Sequence, residues 1–203
     1  MNRQTLLTLI GVAMATATAQ ASIVSYNVFV NTSGISAGAG YIELQFNQAD
    51  FLTSGVGAAT ITQFVSSGYT LGGAAPAPGD VTGSFASPPL IIVNDQTANI
   101  YDENVAIWGQ TFGFVLSLDT AATDSEFFVF LLDASFNPIV GPLDLGAVAN
   151  VFIDSNGVPT PQSSTFDGGY ADASQIPEPA SGWLLAPGLG AMLMGLRRRR
   201  RID

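Results

Sequence analysis

Between Ser22 and Ile176 the only strongly ionising side chains are carboxylates. That region contains no His, Cys, Lys or Arg: the chain's 6 basic residues are Arg3 and a run of five arginines at the far end. No Ser-His-Asp or Cys-His relay, lysine Schiff base or Ser-Lys dyad can be assembled from it. Zinc sites use Cys or His in nearly every case, and the dinucleotide and phosphate-loop fingerprints are absent. Carboxylate chemistry is what survives. Of the chain's 16 acidic residues, Glu178 and Asp203 lie beyond this region, leaving 14 inside it. A glycoside hydrolase needs two such groups about 5–9.5 Å apart, one with a raised pKa. Asp102-Glu103, Asp124-Glu126 and Asp133 are the candidates. Neighbouring strand residues point to opposite faces, and scattered acids make chance pairs common, so solvated loop carboxylates are the plainer account.

Asp119-Thr120-Ala121 is similar to the Asp-Thr-Gly of aspartic proteases, but lacks the glycine and a second copy. Calcium is the cofactor such a composition would take, because it prefers hard oxygen ligands. "DSNG", with Asp154 and Asn156, and "DTAATDSE", from Asp119, gather oxygens in turns, although Asp, Asn and Gly are also ordinary turn formers. Flat aromatic rings suit sugar stacking: the candidates are Trp108, between Ile107 and Gly109, and Tyr69 and Tyr101 in polar, loop-like surroundings; core packing is the competing account, favoured for Trp108. The one-sided charge repels phosphate backbones, which are bound through Lys and Arg, so nucleic acid is not an expected partner.

These residues must be positioned by strands. "YIELQFN" places Ile42, Leu44 and Phe46 on one face. "SYNVFVN" places Tyr26, Val28 and Val30 together with Phe29 opposite, and "QTFGFVLSL" aligns Phe112, Phe114, Leu116 and Leu118. "EFFVFLLD" is apolar on both sides, as in a strand covered on both faces. Turn residues recur at Gly38-Ala39-Gly40, Gly72-Gly73, Pro78-Gly79-Asp80, Pro88-Pro89, Asn137-Pro138 and Asp154-Ser155-Asn156-Gly157. The expectation is an all-β fold: one jelly-roll-like β-sandwich of about eight or nine strands over residues 22–167. From Pro159 to Gln175 the composition turns to Pro, Ser, Thr, Gly and Asp, read as a last strand followed by a linker over 168–175.

Both ends read as addresses. Arg3, an apolar stretch from Leu6 to Ala15 and the small residues Ala19 and Ala21 form a secretory signal over 1–21, cleaved after Ala21. At the other end, residues 180–196 are uncharged and mostly apolar, about 25 Å as a helix, the lower limit for a bilayer core. Arg197, Arg198, Arg199, Arg200 and Arg201 follow, and the positive-inside rule keeps them in the cytoplasm. A nucleic-acid-binding tail would account for the arginines but not for the apolar run.

Pro177-Glu178-Pro179, a membrane-length segment and an arginine cluster, in that order over 176–203, resemble the PEP-CTERM sorting signal of Gram-negative bacteria. The resemblance implies recognition at Pro177, Glu178 and Pro179 by exosortase, a membrane peptidase that releases or transfers its substrates in exopolysaccharide-making cells. Residues 30–47, "VNTSGISAGAGYIELQFN", and 79–84, "GDVTGS", are similar to a subgroup of such proteins with no established activity. The combined expectation is an exported, non-enzymatic protein, held at the inner membrane and then left on the cell surface or in a biofilm matrix with exopolysaccharide. A carbohydrate-binding module is the alternative, and a carboxylate-only glycoside hydrolase stands third.

Overall fold

A computed structural model describes residues 22–49, 54–96, 98–167 and 169–177. The signal segment with Ala19 and Ala21, Glu178, Pro179, the span 180–196 and the arginines 197–201 lie outside the described residues.

Among the described residues the chain forms fourteen strands, the longer ones with period-two burial. In chain order these begin with β1 (Ile23–Asn31), β2 (Gly40–Gln48), β3 (Ala58–Ser67), β4 (Thr70–Ala75) and β5 (Asp80–Thr82). Next come β6 (Leu90–Val93), β7 (Ile100–Ile107), β8 (Thr111–Asp119), β9 (Ser125–Asp133) and β10 (Pro138–Val140). The last are β11 (Ala149–Ile153), β12 (Pro159–Gln162), β13 (Ser164–Phe166) and β14 (Gly169–Gln175). The first sheet has the order β13-β14-β1-β8-β3-β6-β5. The second runs β12-β11-β9-β2-β7-β4, with β10 also paired to β9. All pairings are antiparallel. Among the described residues the one helical element is a 3-10 turn, Asp144–Gly146.

The sheets form a β-sandwich around one core. Tyr26, Val28 and Val30 of β1 and Phe112, Phe114, Leu116 and Leu118 of β8 share this core with Ile42, Leu44 and Phe46 of β2 and Phe127, Val129 and Leu131 of β9. For β1, β2 and β8 these are the inward positions that alternation assigns. β9 is apolar on both faces because its outer side is also covered: Phe128, Phe130 and Leu132 pack under Ala147, Leu143 and Tyr41. The Asp154–Gly157 turn joins β11 to β12 as expected.

Three expectations need correction. The strands number fourteen, because β5, β10 and β13 have 3 residues each and β12 has 4, too few to display a period. The supposed linker 168–175 contains β14, which lies between β1 and β13 with Tyr26 opposite Gln175 and Asn31 opposite Tyr170. Its inward residues are only Ala171 and Ala173, so the alternation carries little hydrophobic signal. Gly72-Gly73 is not a turn between strands but a bulge within β4, where the register slips and Gly73 takes φ 89°.

Strand direction sorts the loops. Ser22, the start of β9, the Asp154 turn and Pro177 occupy one end, and the last backbone bond there runs from Ile176 N to Ser25 O at 2.7 Å. Tyr69 and Trp108 stand at the other end, beyond the last residues of β3 and β7.

Candidate functional site

The three aromatics expected to read sugar do not share a surface. Tyr101 is 2% exposed on the inner side of β7. Its hydroxyl donates to Glu103 Oε2 at 2.5 Å and accepts from Phe85 N at 3.1 Å. Burial and the Glu103 carboxylate push its pKa well above the usual phenol value. It offers nothing to a ligand. Tyr69 and Trp108 close the end of the core: Tyr69 packs edge-on to Trp108 at 6.0 Å and to Phe112 at 5.8 Å. The Tyr69 hydroxyl bonds that of Thr32, which also reaches Gly109 O at 3.1 Å. Burial raises the Tyr69 phenol to about 12, with the Thr32 bond acting the other way. Gly40 permits the Trp108 ring to lie close, since a Cβ there would stand 3.0 Å from Trp108 Cζ2.

The carboxylates are also separated. Asp102 and Glu103 point to opposite faces of β7, as neighbours in a strand must. Glu103, 2% exposed, accepts from Tyr101 and from Gly73 N at 2.8 Å. Asp102, 5% exposed on the outer face, lies opposite Glu43 of β2, itself 8% exposed. Asp102 Oδ1 is buried without a hydrogen-bond partner, and Gln45 Nε2 donates to Glu43 Oε1 at 2.5 Å. Burial first, then the Glu43 charge and a hydrogen bond to it, raise Asp102 to about 7. A carboxyl with a raised pKa beside a second carboxyl is what a glycosidase would use as its general acid. Neither Glu43 nor Asp102, however, lines the nearby groove of about 220 Å³ bounded by Tyr41, Gly72, Asn104 and Ala134.

Glu126 stays within β9 and accepts from Asn150 Nδ2 at 2.5 Å, while Asp119, Asp133 and Asp154 build turns. Asp133 Oδ1 accepts from Ser135 N and Asn137 N, and Asp154 Oδ1 from Asn156 N and Val158 N, all at 2.8–2.9 Å. These bonds hold both exposed carboxyls below their usual pKa. Asp119 Oδ1 accepts from Ala121 N at 2.9 Å, one branch of a short loop with no dyad partner. The two loops expected to offer calcium ligands do lie side by side: Asp124 N donates to Asp154 O at 3.4 Å. Among the described residues, no three His, Cys, Asp or Glu side chains converge on a point where a metal could sit. The Asp154 and Asn156 side chains satisfy the turn itself.

A different surface gathers the exposed aromatics. On the outer face of the first sheet, Phe29 of β1 and Tyr170 of β14 are 37% and 43% exposed, with ring centroids 5.8 Å apart and planes tilted by 38°. They line a groove of about 540 Å³ with Ser163, Thr165 and Asp172. Ser163 Oγ donates to Asp172 Oδ1 at 2.9 Å while accepting from Ala173 N at 3.0 Å. Phe29 is legible as the outward residue of β1. Tyr170 is not, because the small inward residues of β14 give 168–175 the composition of a linker.

No family model, curated protein or solved structure matches the chain.

Proposed function

We propose that this is an exported, non-enzymatic protein of the cell surface or extracellular matrix, processed at Pro177-Glu178-Pro179 by an exosortase-type peptidase in an exopolysaccharide-producing cell. One observation carries the reading. β1 and β14 are neighbours, so Ser22 and Pro177 leave the sandwich from the same end. A leader cut before Ser22 and a membrane segment beyond Pro179 would then address one membrane, with the Trp108 end pointing away from it. Pro177 is exposed and follows within two residues of the last strand residue, Gln175. The peptidase would work directly beneath the sheet, without a stalk.

The chemistry of the described residues supports a non-catalytic role. They contain no His, Cys, Lys or Arg, and the paired carboxyls Glu43 and Asp102 are buried away from either groove described above. The nested antiparallel pairs β1·β8, β2·β7 and β3·β6 support a jelly-roll winding, with further strands added outside β1 and β2.

Terminal mass spectrometry of the protein recovered from its native host tests the proposal. The expected mature chain begins at Ser22, ends near Glu178 and is found outside the cell. Replacing Pro177, Glu178 and Pro179 by alanine leaves the chain uncut in the inner membrane. An external form that keeps its arginines 197–201 would sink the proposal.

A further inference from the structure

We propose that the Phe29–Tyr170 face of the first sheet is a saccharide site, taking a pyranose polymer without acidic groups. The rings act as stacking platforms and Asp172 as an acceptor for sugar hydroxyls. This inference is independent of how the tail is processed.

The rings are exposed for a structural reason. β1 turns Tyr26, Val28 and Val30 into the core, so Phe29 must face out; β14 turns Ala171 and Ala173 inward, so Tyr170 and Asp172 face out beside it. Residues Val30 and Ala171 are opposite each other, which brings Phe29 and Tyr170 into diagonal contact. Across the other ladder Phe29 faces Gly113, and its ring lies 3.7 Å from where a Cβ at Gly113 would stand. With no side chain at Gly113, nothing at that position covers the ring, and Phe29 stays 37% exposed. Two open aromatic faces, tilted and not stacked on each other, form a shallow trough.

The polar groups beside the trough are already oriented. Ser163, fixed by the Ala173 amide, holds one oxygen of Asp172 and leaves the other turned toward no cation. A sugar supplies what this arrangement lacks: an apolar C–H face for the rings and hydroxyl donors for the carboxylate. At about 540 Å³ the groove falls in the ordinary range for small-ligand sites. Charge narrows the ligand further. No described residue is Lys, Arg or His, so a uronic-acid or sulfated polymer meets only repulsion. Neutral and amino-bearing polymers share the required chemistry.

Affinity electrophoresis of the full chain in mild detergent tests the site. Separate gels contain galactomannan, hydroxyethyl cellulose, glycol chitosan and, as the acidic control, alginate. Retardation is expected in at least one of the first three and not in alginate; the glycol chitosan lane separates an amino sugar from a neutral one. Phe29→Ala and Tyr170→Ala should each weaken the interaction about tenfold, equivalent to about 1.4 kcal/mol. Tyr170→Phe should retain it, and Trp108→Phe at the far end should leave it unchanged. Both alanine variants sit at the surface and should melt with the parent. Mobility unaffected by all three acid-free polymers would overturn the site. So would retardation that persists in a Phe29→Ala/Tyr170→Ala double variant, or equal retardation in alginate.

Discussion

Asp102 shows how a single buried group can set the pH response of the molecule. The groups facing it are Glu43 and Tyr41 of β2 and, further along the outer face, Glu126 of β9; β4 contributes no ionisable side chain. Its raised pKa means that between about pH 4 and about 7 the native state holds a proton the unfolded chain has released. Stability therefore falls as pH rises through that window. Thermal melts at pH 5 and pH 8 should show the drop, and Asp102→Asn should flatten it by raising the melting temperature at pH 8. An unchanged slope in the variant would refute the raised pKa of Asp102. The exposed turn carboxyls Asp133 and Asp154 act in the opposite sense: their contribution is present above the ordinary carboxyl pKa and is lost only as pH falls through their lowered values. Asn94 is the other decisive residue. Fully buried, it accepts from Gly57 N at 2.6 Å and donates to Gly55 O at 3.0 Å and Ser125 Oγ at 2.6 Å, tying the start of β3 to the start of β9. Asn94→Ala strands those groups and should cost about 3 kcal/mol, read from urea unfolding. Neither effect is legible in the sequence: Asp102 depends on the register that sets Glu43 opposite it, and Asn94 on connecting segments that the fold brings together.

At the scale of elements, sequence reading succeeded where inward side chains are large. The inward faces of β1, β2 and β8 were legible from Tyr26, Phe46 and Phe112 and their period-two partners, and the double-sided burial of β9 followed from its unbroken apolar run. It failed where the inward positions are small, as with Ala171 and Ala173 of β14, or where a strand contains a bulge, as with Gly73 in β4. The candidate sites followed the same rule. Tyr101 sits among polar residues in sequence, yet alternation within β7 turns it inward with Val105. β14 itself makes a clear test. A chain ending at residue 167 removes the strand between β1 and β13 and should show no cooperative melt, whereas one ending at Ile176 should unfold as a single transition. Comparable melting of the two would restore the linker reading.

At the scale of the molecule, 14 acids without one cation between Ser22 and Ile176 imply self-repulsion. Raising ionic strength from about 0.01 M to about 1 M shortens the screening length from about 30 Å to about 3 Å. The melting temperature should therefore climb with sodium chloride, and a flat response would mean that the carboxylates are too well separated to matter.

The pairing of the first strand with the last has a temporal meaning as well. A polypeptide delivered N-terminus first presents Tyr26 long before Gln175 exists to lie against it, and β8, the other neighbour of β1, also arrives late. Loop closure over such separations is slow. The sandwich cannot lock shut before β14 has emerged to lie beside β1, so folding of the body waits on the last of its strands.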